Sequence, residues 1–247
     1  MLDLPAGITT CLFDLDGVLT QTARIHAQAW KQMFDDFLRD WAERKGEPFR
    51  EFDRPTDYDE YVDGKPRLDG VHSFLRSRGI DIPMGSPSDP PEDETVHALG
   101  TRKNNLVLDL IQDQGVEPYA GSVTFVERVR DQGLRRAVVS SSTNCREVLA
   151  AAGIEQLFEV RIDGTVAERE GLAGKPAPDT FLAGARALDA KTAEAAVFED
   201  AQAGVQAGRA GDFGWVVGVD RTGQAEALRQ RGADVVVEDL AELLERR

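Results

Sequence analysis

The sequence predicts an α/β fold, a mainly parallel sheet interrupted early by an all-helical insertion, and three observations carry that prediction. Short apolar runs alternate with amphipathic helical stretches from about Tyr119 onward; a single apolar run ends at Asp14 near the amino terminus; and no β-rich run occurs between about Thr20 and Pro118. Strands alternating with helices imply right-handed crossovers and a sheet covered on both faces, with ligands at the carboxyl ends of the strands.

In chain order, the first strand is the run Cys11-Leu12-Phe13, which delivers Asp14 and Asp16 into a turn at Gly17. Two carboxylates this close in a partly buried place require a shared proton or a cation. The plainer alternative is an Asp-rich turn, since Asp and Gly favour turns for their own reasons. Next comes a helical stripe of His26, Trp30, Met33, Phe37 and Trp41, then Pro- and Asp-rich stretches such as Gly85-Ser86-Pro87-Ser88-Asp89-Pro90-Pro91, which read as a surface loop. Inserted directly after the first strand, this segment is expected to be a helical cap that closes over the site and excludes water. The expected division is therefore a Rossmann-like core of residues 1–19 and 119–247, with a cap of residues 20–118. Within the core, Arg136 to Ser140, Ala195 to Phe198, Gly214 to Val219 and Asp234 to Val237 read as strands. Asn144 to Ala152, Asp179 to Leu188, Gln202 to Ala210 and Gln224 to Arg231 read as helices.

Composition narrows the function classes. A formal charge of -15 argues against nucleic acid, whose phosphates need a basic face. The amino terminus lacks a basic region followed by an apolar stretch, and no apolar run approaches the roughly 18 residues of a membrane span. A cytoplasmic monomer with no nucleic-acid or membrane partner is the expectation. There are two cysteines. Cys11 reads as a core residue, and Cys145 sits near a helix start, where a thiol can become more acidic.

Chemistry is concentrated where the apolar runs end. Ser140 closes one run, Lys175 precedes a helix in Gly174-Lys175-Pro176-Ala177-Pro178-Asp179, and Ala196-Val197-Phe198 ends in Glu199-Asp200. Singly, a strand-end serine is a cap and a lysine beside proline is solvated; as an ordered set with Asp14 and Asp16 they suit attack on a phosphate. Phosphoryl transfer is mostly positioning and charge neutralisation, and a carboxylate screened by a metal and an ammonium can be the nucleophile. Asp14 is the expected nucleophile. Mg²⁺ would be held by Asp14, the Asp16 backbone carbonyl, Glu199 and Asp200, while Ser140 and Lys175 would hold the phosphoryl oxygens.

This ordered set resembles the four motifs of the haloacid dehalogenase superfamily over nearly the whole chain. The resemblance implies that Asp16 is the general acid and base for the departing or attacking oxygen. Thr20-Gln21-Thr22-Ala23-Arg24-Ile25-His26 with Trp30, Arg102-Lys103-Asn104-Asn105, and Ser140-Ser141-Ser142-Thr143-Asn144 resemble more narrowly the β-phosphoglucomutases of that superfamily. That likeness implies Thr22 at the cap hinge, His26 coupling cap closure to Asp16, and Lys103 reaching toward substrate. It implies Ser142 and Asn144 at the second phosphate or the sugar, although Asn144 also suits a helix cap. Arg67, in Gly64-Lys65-Pro66-Arg67 before Asp69-Gly70 and a new helix, is the candidate for gripping the distal phosphate. Periodicity alone makes His26 a core histidine; the likeness reverses that preference. The cap is longer than in compact members around Trp41 to Thr56 and Met84 to Thr95.

The implied activity is Mg²⁺-dependent interconversion of β-glucose 1-phosphate and glucose 6-phosphate through an aspartyl-phosphate and a sugar bisphosphate. The alternative is a phosphatase acting on a small sugar or polyol phosphate. A non-catalytic sugar-phosphate-binding protein would be expected to have lost one of Asp14, Asp16, Lys175 or Asp200, and all four are present.

Overall fold

The apolar runs assemble into one six-stranded sheet. In the computed structural model, which describes residues 2–244, the strands are β1 (Thr10–Phe13), β2 (Arg135–Val139), β3 (Val160–Ile162), β4 (Ala195–Glu199), β5 (Trp215–Val219) and β6 (Val235–Val237). They lie in the order β3-β2-β1-β4-β5-β6, and every neighbouring pair is parallel. From β1 the chain winds outward through β2 and β3, then starts again at β4 on the other side. The switch between β1 and β4 is where doubly wound sheets bind their ligands, beyond the carboxyl ends of the strands. Phe13 is in register with both Val138 and Phe198, so Asp14, Val139 and Glu199 stand level at that end of the sheet.

The helices are α1 (Ala23–Lys45), α2 (Arg67–Ser77), α3 (Val96–Gln114), α4 (Ala120–Asp131), α5 (Cys145–Ala151), α6 (Gly164–Glu170), α7 (Asp179–Ala187), α8 (Gln202–Ala210) and α9 (Ala225–Gln230), with a π-helical segment at Arg54–Val62. The chain divides into one unit of Met1–Thr22 with Val116–Arg247 and another of Ala23–Gly115.

In the sheet-containing unit, β1 and β4 are buried along their whole length, the state of strands covered on both faces. Leu12, Val139, Val197 and Val216 pack with Phe181, Val205 and Leu228 in one core. Phe13 stacks on Phe198 with ring centres 4.6 Å apart, and Phe125 meets Phe198 at 5.3 Å and a 61° tilt. The paths to and from the other segment are tied together within this unit: Thr20 pairs antiparallel with Pro118, Gln21 N donates to the Glu117 carbonyl at 2.9 Å, and Tyr119 N donates to the Leu19 carbonyl at 2.9 Å.

Two elements lack a sequence signature for a physical reason. β3 is three residues long with Arg161 at its centre, so it makes no apolar run; α6 buries none of its residues, so it has no stripe. Ser140 lies just beyond β2 instead of ending it, and α2 begins at Arg67, ahead of Asp69-Gly70. Gly70 is tolerated inside that helix because a Cβ there would press against the Trp30 indole at 3.2 Å.

The helical unit is built on the α1 stripe. Ile25, Ala29, Trp30, Met33, Phe34, Phe37 and Leu38 recur at helical spacing and are buried. Phe34 is the hub: its ring centre lies 5.2 Å from Trp30, 5.2 Å from Phe52 and 4.2 Å from Phe74. Buried Asp35 accepts from Phe52 N at 2.7 Å and pairs with Lys31 at 2.9 Å. Thr95 caps α3 by accepting from Ala98 N at 3.1 Å. Residues 84–95 follow no regular element. Among the described residues no helix is long and apolar enough to cross a membrane.

Removing the hub ring would leave a cavity that three aromatic neighbours cannot fill. Phe34→Ala is expected to destabilise the helical unit by about 3–5 kcal/mol, measured by urea denaturation followed by tryptophan fluorescence from Trp30 and Trp41.

Candidate active site

The turn after β1 is shaped by Gly17. Its φ of +90 suits glycine, and a Cβ there would overlap the Asp200 carboxylate. Gly17 N donates to the Thr20 carbonyl at 2.8 Å, closing the turn so that Asp14 and Asp16 project from it. Thr22 Oγ1 donates to the Asp16 carboxylate, and Thr20 and Thr22 hydroxyls share a 2.7 Å bond. Thr22 thus holds Asp16.

Lys175 is the centre of the cluster. It is 2% exposed, and its ammonium donates to Asp14, to Glu199 and to the Val139 carbonyl, the last at 3.2 Å. It also lies over the Phe181 ring, 4.9 Å from its centre. The solvated lysine of the plain sequence reading is therefore replaced by a buried one whose three donors meet β1, β2 and β4. Glu199 is wholly buried; its second oxygen accepts from Ala201 N at 2.9 Å, and the absence of a side chain at Gly204 gives its carboxylate room.

The charges do not balance locally. Asp14, Glu199 and Asp200 each offer an oxygen, these atoms lie within 4.8 Å of one another, and all three residues are buried. One ammonium against three carboxylates leaves an excess that a divalent cation would neutralise, and an all-oxygen donor set suits a hard ion. The residues present therefore fit a metal. Burial pushes the Asp14 carboxyl up to about 6, with Lys175 opposing and Asp16 adding to the rise. Burial likewise pushes Glu199 up to about 7, against Lys175 and with Asp14. Burial disfavours the Lys175 charge, but Asp14 and Glu199 outweigh it and hold the ammonium above its ordinary range.

Ser140, Ser142 and Asn144 form a single loop after β2. Ser140 is buried and its Oγ accepts from Ser142 N at 3.1 Å; Ser142 Oγ accepts from Asn144 N at 3.1 Å. The Ser142 carbonyl accepts from Gly164 N at 3.1 Å, where any side chain would strike the Ser141 carbonyl. Asn144 precedes α5, but its side chain makes no capping bond to it. Cys145 departs from the sequence expectation. Its thiol is pushed up, not down, because burial comes first and Asp16 and Asp163 add to it; burial also pushes up Cys11.

Within the helical unit, His26, Lys103 and Arg67 form a second set. Lys103 is 5% exposed, lies over the Trp30 ring at 4.9 Å, and its Nζ is 2.8 Å from His26 Nδ1. An ammonium only donates, so Nδ1 accepts and the imidazole is neutral with its proton on Nε2. Burial, then Lys103, then Arg67 hold the His26 pKa well below its ordinary value, in agreement with that tautomer. Arg67 Nη1 donates to Asn104 Oδ1 at 2.6 Å. Sequence reasoning missed the loop after β5, where Arg221 and Gln224 bond the Gly17 and Asp200 carbonyls; isolated polar residues in a loop carry no periodic signal.

A family model described as haloacid dehalogenase-like hydrolase matches residues 8–212, which span β1 to α8 and all four motif loops. The chain belongs to the haloacid dehalogenase-like hydrolase family. Within that family it is 55% identical, over 99% of this chain and 94% of the other, to a β-phosphoglucomutase of Mycobacterium bovis. A β-phosphoglucomutase of Bacillus subtilis is 30% identical over 94% of this chain and 90% of its own. The crystal structure of β-phosphoglucomutase from Clostridium difficile superposes with a TM-score of 0.74 at 25% identity, covering 96% of this chain and 93% of that one. Phosphatases of the family also match, among them the fructose-1-phosphate phosphatase of Escherichia coli, 28% identical over 81% of this chain and 90% of its own.

The acidities have a definite consequence for stability. Asp14 and Glu199 titrate at about 6 and about 7 in the folded chain, above their ordinary 3.8 and 4.5, so the folded state holds more protons than the unfolded one between those values. Their contribution therefore falls as pH rises from about 4 to about 7. In chelator, Tm is expected to drop between about pH 5 and about pH 7.5, and Mg²⁺ or Mn²⁺ should restore it more at the higher pH. A Tm indifferent to either cation at the higher pH would remove the cluster as a cation site.

Proposed function

We propose that the protein is a Mg²⁺-dependent β-phosphoglucomutase interconverting β-glucose 1-phosphate and glucose 6-phosphate. The observation that carries the proposal is the 55% identity, over nearly the full length of both chains, with the mycobacterial enzyme of that name. The cluster of Asp14, Lys175, Glu199 and Asp200 supports the chemistry. The same site would also serve a phosphatase, and the relatives of that activity keep the reading open to test.

In this reading an Asp14 carboxylate oxygen attacks the phosphorus of a sugar bisphosphate. The bond from phosphorus to the sugar oxygen breaks, and Asp16 gives that oxygen its proton. In the reverse half-reaction Asp16 takes the proton from an attacking sugar hydroxyl, and the phosphoryl group leaves Asp14. Thr22 orients Asp16 for both steps. Ser140 is assigned to a phosphoryl oxygen; the Lys175 charge keeps Asp14 and Glu199 from repelling one another, and its ammonium would reach a phosphoryl oxygen by releasing one of its three present acceptors. Mg²⁺, held by Asp14, Glu199, Asp200 and the Asp16 carbonyl, would supply neutralisation of the charge on the transferring group. Ser142 and Asn144 are assigned to the second phosphate or the sugar; in the helical unit, taken by itself, Lys103 is assigned to the substrate and Arg67 to the distal phosphate.

Asp14→Asn is expected to abolish turnover and the mass increase from phosphorylation by acetyl phosphate while leaving the circular dichroism spectrum unchanged; undiminished turnover would refute the nucleophile. Asp16→Asn is expected to lower kcat by about 10²- to 10⁴-fold while phosphorylation of Asp14 by acetyl phosphate, whose leaving group needs little acid help, persists.

The deciding assay supplies β-glucose 1-phosphate with a trace of glucose 1,6-bisphosphate and Mg²⁺, and follows glucose 6-phosphate and inorganic phosphate together. Glucose 6-phosphate without matching phosphate release supports the mutase, and Arg67→Ala should then cut that rate strongly while sparing hydrolysis of acetyl phosphate. Stoichiometric phosphate release from many sugar phosphates, insensitive to the bisphosphate and to Arg67→Ala, would establish the phosphatase instead.

A further inference from the structure

The loop of residues 220–224, between β5 and α9, reaches both carboxylate-bearing turns. Its own shape is held by Asp220, whose Oδ1 accepts from the backbone N–H groups of Thr222, Gly223 and Gln224 at 3.2, 2.7 and 2.8 Å, and whose Oδ2 accepts from Ala225 N at 3.0 Å. From this base Arg221 Nε donates to the Gly17 carbonyl at 2.8 Å, and Gln224 Nε2 donates to the Asp200 carbonyl at 3.2 Å.

Arg221 is placed with some precision. Its guanidinium lies over the Tyr119 ring at 3.6 Å from the centre, and Nη1 donates to the Glu238 carbonyl at 2.6 Å and faces Asp239 Oδ2 at 3.4 Å. The side chain is 14% exposed. A planar fork can lie on the ring and still aim Nε one way and Nη1 another; an ammonium on a flexible stem cannot do both.

Gly17 has little freedom of its own. Its carbonyl is held by Arg221, its N–H by Thr20, and a Cβ on it would overlap the Asp200 carboxylate. The held carbonyl belongs to the Gly17–Val18 peptide and the held N–H to the Asp16–Gly17 peptide, so a rotation of the first is passed through the Gly17 α-carbon to the second and turns Asp16. We infer that Arg221 is a positioning residue for phosphoryl transfer, fixing through the Gly17 carbonyl the turn that aims Asp16 at the sugar oxygen. The inference rests on the assignment of Asp14 and Asp16 as the reacting carboxylates and holds for mutase and phosphatase alike. A displacement near 1 Å at such a group costs about 10²-fold in rate.

The test compares Arg221→Ala, Arg221→Lys and Arg209→Ala in the full-length protein. Arg209 is a more exposed structural control, which likewise bonds a backbone carbonyl and a carboxylate, those of Gly232 and Asp234. Phosphate-ester turnover by the wild type that disappears in Asp14→Asn tests the underlying assignment; the ratio of each Arg221 variant to wild type tests the inference alone. Arg221→Ala is expected to lower kcat by about 10- to 100-fold with KM within about threefold, Arg221→Lys to fall between, and millimolar guanidinium to restore part of the Arg221→Ala rate. Arg209→Ala should keep the wild-type kcat. The inference is overturned if Arg221→Ala retains kcat within about twofold, or if its loss is matched by Arg209→Ala and unmoved by guanidinium. Should Arg221→Ala fail to fold, Arg221→Lys decides: a reduced kcat at wild-type KM supports the inference and a wild-type kcat refutes it.

Discussion

Everything at the carboxyl end of the sheet is arranged around one ammonium that water does not reach. Lys175 is bonded to Asp14 after β1, to the Val139 carbonyl of β2 and to Glu199 of β4, so one side chain joins the three central strands. Buried charge is tolerable only when paired and hydrogen-bonded, and here each partner solves the other's problem incompletely. The ammonium is fully satisfied and over-stabilised in its charged form, while the carboxylates remain harder to ionise than in water. That residual imbalance would favour a further positive charge at the cluster.

Around this centre the backbone is packed against carboxylates rather than against side chains of its own. Gly17 leaves room for Asp200 and Gly204 for Glu199, so each acid lies close against a backbone that a side chain would push away. Orientation is fixed by exclusion of alternatives as much as by bonds, which is the economical way to hold like charges together.

The fold was legible wherever burial leaves a pattern. Strands covered on both faces are apolar throughout, and the α1 stripe repeats at helical spacing, so β1, β2, β4, β5 and α1 stand out in the sequence. β3 and α6 do not, because the first is short with a charged centre and the second has no fully buried residue, only the partly buried Val166 against the core. The residues of the cluster were legible because acidic and basic groups at the ends of apolar runs are unusual, and their order matched a known set. The acidity of Cys145 was not, since it depends on burial and on Asp163 far along the chain. Nor was Arg221, whose partners at Gly17, Tyr119 and Glu238 are scattered through the sequence and meet only after folding.

The antiparallel contact of Thr20 with Pro118 has an architectural consequence. Because the outgoing and returning chains are bonded to each other before the helical segment begins, the two ends of that segment are held side by side by residues of the sheet-containing unit. Loop-closure entropy grows only slowly with length once the ends are held together, so the intervening segment can be lengthened, shortened or exchanged at modest thermodynamic cost. A clasp of this kind makes the stem at Gln21 and Glu117, and not the inserted segment, the feature that sets where the chain leaves and rejoins the sheet-containing unit.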